Sequence, residues 1–94
     1  WWEPNLKKKP DPMLYRETIK KLELDSQQCI AFEDSCSGLR SALGAGLSVI
    51  IVPSSRSEKY FKDLKYNVIY ENKYCKMKSM LDFLNVLLSL RSNK

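Results

Sequence analysis

A chain of 94 residues can form one small domain, which would bury roughly 60–65% of the surface its unfolded form exposes, and it is too short for two. Hydrophobic residues make up 44% and charged residues 29%, which excludes the disordered, collagen-like and disulfide-scaffold classes. A net charge of +5 favours anionic partners, and no apolar run reaches membrane-spanning length.

The N-terminal "WWEPNLKKKP" has neither the apolar core nor the small-residue cleavage site of a secretory signal, so an intracellular, cytoplasmic location is expected. Its basic run, Lys7 to Lys9, is by itself a solvated surface feature. In "DPMLYRETIKKLEL", Asp11 is a helix cap and Pro12 suits the first helical position. Tyr15, Ile19 and Leu22 then fall on one face, so the segment is a helix packed on something. The polar break "DSQQ" leads into "CIAF", whose length and composition predict a strand. "SGLRSALGAG" places Leu39, Ala42 and Leu43 on one helical face and ends at Gly46, which is predicted to take the left-handed conformation. "LSVIIVP" is apolar on both alternations, as expected of a strand covered on both faces, and Pro53 closes it.

Strand, helix and strand over so short a span predict a βαβ unit with parallel strands. Farther on, "SEKYFKDLK" predicts a short helix carrying Tyr60, Phe61 and Leu64, and "NVIY" a short strand. "KMKSMLDFLNVLLSL" predicts an amphipathic helix with Met77, Met80, Leu81, Leu84, Leu87 and Leu88 as a core stripe. The fold class is therefore α/β, a Rossmann-like, mostly parallel sheet with flanking helices, in a single domain over 1–94. Cys29, Cys36 and Cys75 are odd in number, lack C-x-x-C spacing and have no histidine beside them in the whole chain. Free thiols are expected, with neither a zinc site nor a disulfide.

Between "CIAF" and the second helix lie two adjacent acids, Glu33 and Asp34. Open parallel sheets bind ligands beyond the carboxyl ends of their strands, where these two residues fall. Two readings stay open on the residues alone. In one, Asp34, Ser35 or Ser37 caps the helix and Glu33 meets solvent. In the other, the carboxylates hold Mg²⁺, an ion that keeps several waters and takes only one or two protein carboxylates plus substrate phosphate.

The stretch from Lys8 to Ser54 resembles the C-terminal half of the haloacid dehalogenase superfamily core, in particular its β-phosphoglucomutase-like phosphatase branch. The resemblance is carried by K-P-x-P, a helix with an early tyrosine, a strand, F-E-D-S-x-x-G, a small-residue helix, A-G and a strand ending in V-P. It implies a Mg²⁺-dependent phosphatase acting on a small phosphorylated metabolite such as a sugar phosphate. Lys9 would neutralise the nucleophile and the transferring phosphoryl group. Asp34 would be the main metal ligand, with Glu33 a direct or water-mediated helper, and Ser35 and Gly38 would shape the phosphate loop. Phosphoryl transfer needs charge neutralisation and positioning above all, which a lysine and a divalent ion supply.

The family attacks phosphate with the first aspartate of a D-x-D motif, whereas the five aspartates here, Asp11, Asp25, Asp34, Asp63 and Asp82, are never two apart. No nucleophile is assigned. The nucleophile strand and the cap domain of the family are also missing, so the chain is expected to be a C-terminal portion of a longer enzyme, inactive alone and able to pair with its missing half or another chain. The alternative is an inert remnant kept as an interaction module through its open sheet edge. A basic nucleic-acid-binding domain is a weaker third reading: the lysines are not interleaved with aromatics in a stripe, so neither nucleic acid nor membrane is an expected partner.

Overall fold

The computed structural model describes residues 11–92. Helix α1 (Met13–Lys21) has Pro12 as its N-cap, one residue later than the expected cap at Asp11, whose side chain instead accepts the Met13 amide at 2.9 Å just ahead of the helix. A 3-10 turn at Ser26–Gln28, opened by a capping box at Asp25, feeds strand β1 (Ile30–Glu33). Helix α2 (Cys36–Gly44) begins at the Ser35 cap, whose hydroxyl accepts the Gly38 amide at 3.1 Å. Gly46 ends this region at φ +85°, a conformation that only glycine adopts without cost, and β2 (Ser48–Ile51) follows. Strands β3 (Ile69–Tyr70) and β4 (Tyr74–Lys76) form a hairpin, and α3 (Met80–Ser92) follows.

The sheet order is β1-β2-β4-β3, with β1, β2 and β4 parallel and β3 antiparallel to β4. Alternation sends Ala31, Val49 and Ile51 to one face, where they pack with Ile19 of α1 and Ala42 of α2. Ile50, Cys75 and Met77 face the other way, against Phe32, Val52 and Phe83 of α3. The α/β class and the βαβ unit are as expected. Among the described residues the three cysteines are unpaired, with burial pushing the Cys75 thiol up, and no helix is long and apolar enough to cross a membrane.

Past β2 the structure departs from expectation in three places. The helix predicted over "SEKYFKDLK" is only a 3-10 turn, Glu58–Tyr60, because the carbonyls of Phe61 and Leu64 turn inward to the Lys76 ammonium at 3.0 and 3.3 Å. Phe61 is still buried, but Tyr60 is 65% exposed. Of the residues expected to begin the last helix, Lys76 ends β4 and Met77 to Ser79 are irregular, so α3 starts only after Ser79, whose hydroxyl accepts the Asp82 amide at 3.1 Å. The predicted core stripe is corrected accordingly. Met77 is buried but lies before the helix, whereas Met80, Leu81, Leu84, Leu87 and Leu88 are exposed. Phe83 makes the contact with the sheet, edge-to-face on Phe32 with centroids 5.3 Å apart.

Candidate active site

The carboxyl ends of β1, β2 and β4 lie at one end of the sheet because the three strands are parallel. Glu33, the last residue of β1, follows Ala31 onto the α1/α2 face and is only 7% exposed. A charge this deep must be hydrogen-bonded, and Tyr15 of α1 donates its phenolic hydroxyl to Glu33 Oε2. Its other boundary is Gly38, in the first turn of α2. A β-carbon built there would run into the Glu33 carboxylate, so the side chain fits only because residue 38 has none.

Asp34 sits one residue beyond the strand and is exposed. With Phe32, Glu33, Val52 and Met80 it lines a depression of about 190 Å³. The start of α2 puts the positive end of the helix dipole beside both acids, which offsets part of their mutual repulsion. Ser35 is the N-cap, its hydroxyl 3.3 Å from that of Ser37. Thus the structure brings Glu33, Asp34, Ser35 and Gly38 together at one strand–helix junction. Lys9 lies outside the described residues. Tyr15 and Lys76 were not singled out by the sequence for the bonds they make; the early tyrosine of the motif string was the available signal for the first, and nothing local marks the second.

The donor set suits Mg²⁺ better than a softer ion. Asp34 offers hard oxygens to solvent at the mouth and Glu33 is held behind it. An ion that retains most of its waters needs no more than that.

Gly38→Ala is expected to destabilise the fold by about 1–3 kcal/mol, the usual cost of overpacking. Chemical denaturation measures it, and the penalty should shrink in a Glu33→Ala background; equal penalties in both backgrounds would refute the steric assignment.

A family model described as haloacid dehalogenase-like hydrolase matches residues 3–52, a stretch that includes every acid and loop residue of this site. The chain is 42% identical over 55 residues to Protein CbbY of Cereibacter sphaeroides, covering 56% of this chain and 24% of that one. It is 44% identical over 46 residues to the putative phosphatase YhcW of Bacillus subtilis, covering 49% and 21%. Identity to the mitochondrial (DL)-glycerol-3-phosphatase 1 of Arabidopsis thaliana is 32% over 85 residues, 86% of this chain and 26% of the relative. The chain therefore spans about a quarter of the length of these curated relatives. No solved structure matches it.

Proposed function

The chain belongs to the haloacid dehalogenase-like hydrolases, and on that premise we propose that it is the C-terminal portion of a Mg²⁺-dependent phosphatase that hydrolyses a small phosphorylated metabolite such as a sugar phosphate. The observation that carries this is the division between the two acids: a buried Glu33 anchored by Tyr15, and an exposed Asp34 at the mouth of the depression. The relatives named as phosphatases support the reaction class.

In this proposal Asp34 is the metal ligand contributed by the chain. Glu33 is a positioning residue that fixes the end of β1 and reaches the ion through water. Ser35 and Gly38 hold the start of α2 close to the phosphate, where backbone N–H groups meet its oxygens. Lys9 neutralises the phosphoryl oxygens. Bound Mg²⁺ would supply charge neutralisation at those oxygens. The attacking carboxylate comes from chain outside these 94 residues, and the outer edge of β1 is where its strand pairs. Beside that edge lies an apolar depression of about 310 Å³, lined by Tyr15, Ile19, Leu22, Cys29 and Ile30 among others, which the incoming half would cover.

The intact polypeptide should hydrolyse p-nitrophenyl phosphate only with Mg²⁺, losing turnover to a chelator and regaining it on Mg²⁺ addition, while the 94-residue chain shows none. Chelator-insensitive turnover would overturn the metal assignment, and turnover by the 94 residues would overturn the location of the nucleophile. An intact polypeptide inert towards every phosphomonoester tried would leave the interaction-module reading in its place.

A further inference from the structure

The segment from Arg56 to Lys78 lies beyond the stretch that the family model matches, and its composition differs sharply from the rest. It holds seven of the sixteen basic residues, three of the eleven acidic ones and four of the five tyrosines. Residues 11–55, which carry the candidate active site, hold six acids against four bases. The sheet order places this segment, with β3 and β4, at the opposite end of the sheet from β1.

Folding sharpens the difference. Lys76 and Glu58 neutralise each other, Nζ to Oε1 at 2.6 Å, with the lysine only 2% exposed. What remains outside is Arg56, Lys59, Lys62, Lys65, Lys73 and Lys78, all exposed, against Asp63 and Glu71. Aromatic rings lie among these cations. Lys59 Nζ sits 5.1 Å from the centre of the Tyr60 ring, and Lys78 Nζ 5.7 Å from that of Tyr66. The Lys65 amide donates to the Tyr70 hydroxyl at 2.8 Å, and the Tyr70 ring is stacked on Tyr74 at 5.6 Å. Three of these lysines stand directly before a tyrosine, at 59–60, 65–66 and 73–74, and these contacts tie Lys59, Lys65 and Lys78 to exposed or half-buried tyrosines.

We propose that this surface binds single-stranded nucleic acid, with the exposed lysines on phosphates and Tyr60 as a stacking platform for an unpaired base. The combination of a basic surface with exposed rings is what sequence-tolerant single-strand binding uses. Protein interfaces are depleted in lysine, and membrane surfaces take basic amphipathic helices, whereas this segment is turns and two short strands. Lysines at a sheet edge also deter edge-to-edge pairing, a role that needs charge but no exposed tyrosine.

The test is fluorescence anisotropy of a labelled oligouridine of about 16 nucleotides with the intact polypeptide, across about 50–200 mM KCl. Binding should weaken with salt by about 0.7 in logarithmic slope per phosphate contacted. The triple variant Lys59→Gln, Lys62→Gln, Lys65→Gln should reduce that slope by about 2. Tyr60→Ala should weaken binding on the order of tenfold with the slope unchanged. Lys20→Gln with Lys21→Gln, on α1, should change neither. Absent binding at the lowest salt, equal weakening by the α1 variant, or no effect of Tyr60→Ala would each overturn the proposal, the last by marking a surface that offers charge alone.

Discussion

Asp34→Ala in the intact polypeptide is expected to lower phosphatase turnover by about a hundredfold or more, the scale seen when one preorganised group that stabilises transition-state charge is removed. The side chain is exposed, so its truncation should alter stability by no more than about 0.5 kcal/mol, and lost turnover cannot be ascribed to unfolding. Mg²⁺ affinity measured by calorimetry should fall in parallel. Asp34→Asn keeps the shape and removes the charge, and should fall nearly as far, because Mg²⁺ prefers an anionic oxygen. Glu33→Gln provides the contrast. It retains an oxygen for the Tyr15 hydroxyl, so it should lose less turnover than either Asp34 variant. Undiminished turnover in Asp34→Ala, or a Glu33→Gln defect larger than that of Asp34→Ala, would exchange or abolish the proposed roles.

This difference between neighbours was only half legible in the sequence. That Glu33 and Asp34 close a strand is local information, carried by the apolar "CIAF" before them and the capping serine after them. Which acid turns inward depends on the register of β1 against β2 and on the gap that Gly38 leaves, and both are tertiary. The same boundary divides the fold. Residues 11–53 were readable because each element announces its own ends: Asp11 and Pro12 start α1, Ser35 starts α2, Gly46 and Pro53 close what precedes them. Strand β4 announces nothing. It is three residues long, it holds a lysine, and its pairing with β2 (Ile51 opposite Lys76) links positions 25 apart. Its hairpin turn puts Glu71 and Asn72 at φ +53° and +55°, and a glutamate there is not a turn signal. The apolar pattern running through "KMKSMLDFLNVLLSL" hides the true start of α3, which the Ser79 hydroxyl sets by accepting the Asp82 amide.

Lys76→Met is expected to destabilise the domain by about 2–4 kcal/mol, since hydrogen bonds from a charged donor contribute roughly 1.5–3 kcal/mol each and several are lost together. Buried ion pairs can often be replaced by apolar groups at little cost, because the charges no longer have to leave water. That exchange fails here, for Nζ also holds the carbonyls of Phe61 and Leu64, which no substitution at residue 76 removes and methionine cannot satisfy. Those carbonyls belong to the turn that lays Phe61 into the core, so the variant should loosen residues 57–66 first, visible as faster amide exchange there than in α1 or α2. The pair should also leave an acid signature. Hydrogen bonding to Lys76 holds the Glu58 carboxyl below its ordinary 4.5, so its contribution persists from neutral pH down to that value and is lost as pH falls farther and Glu58 protonates. Lys76→Met, having no partner for Glu58, should lack this component of the acid transition. Wild-type stability in Lys76→Met, or an identical acid transition in the two proteins, would show that the ammonium does not hold this turn.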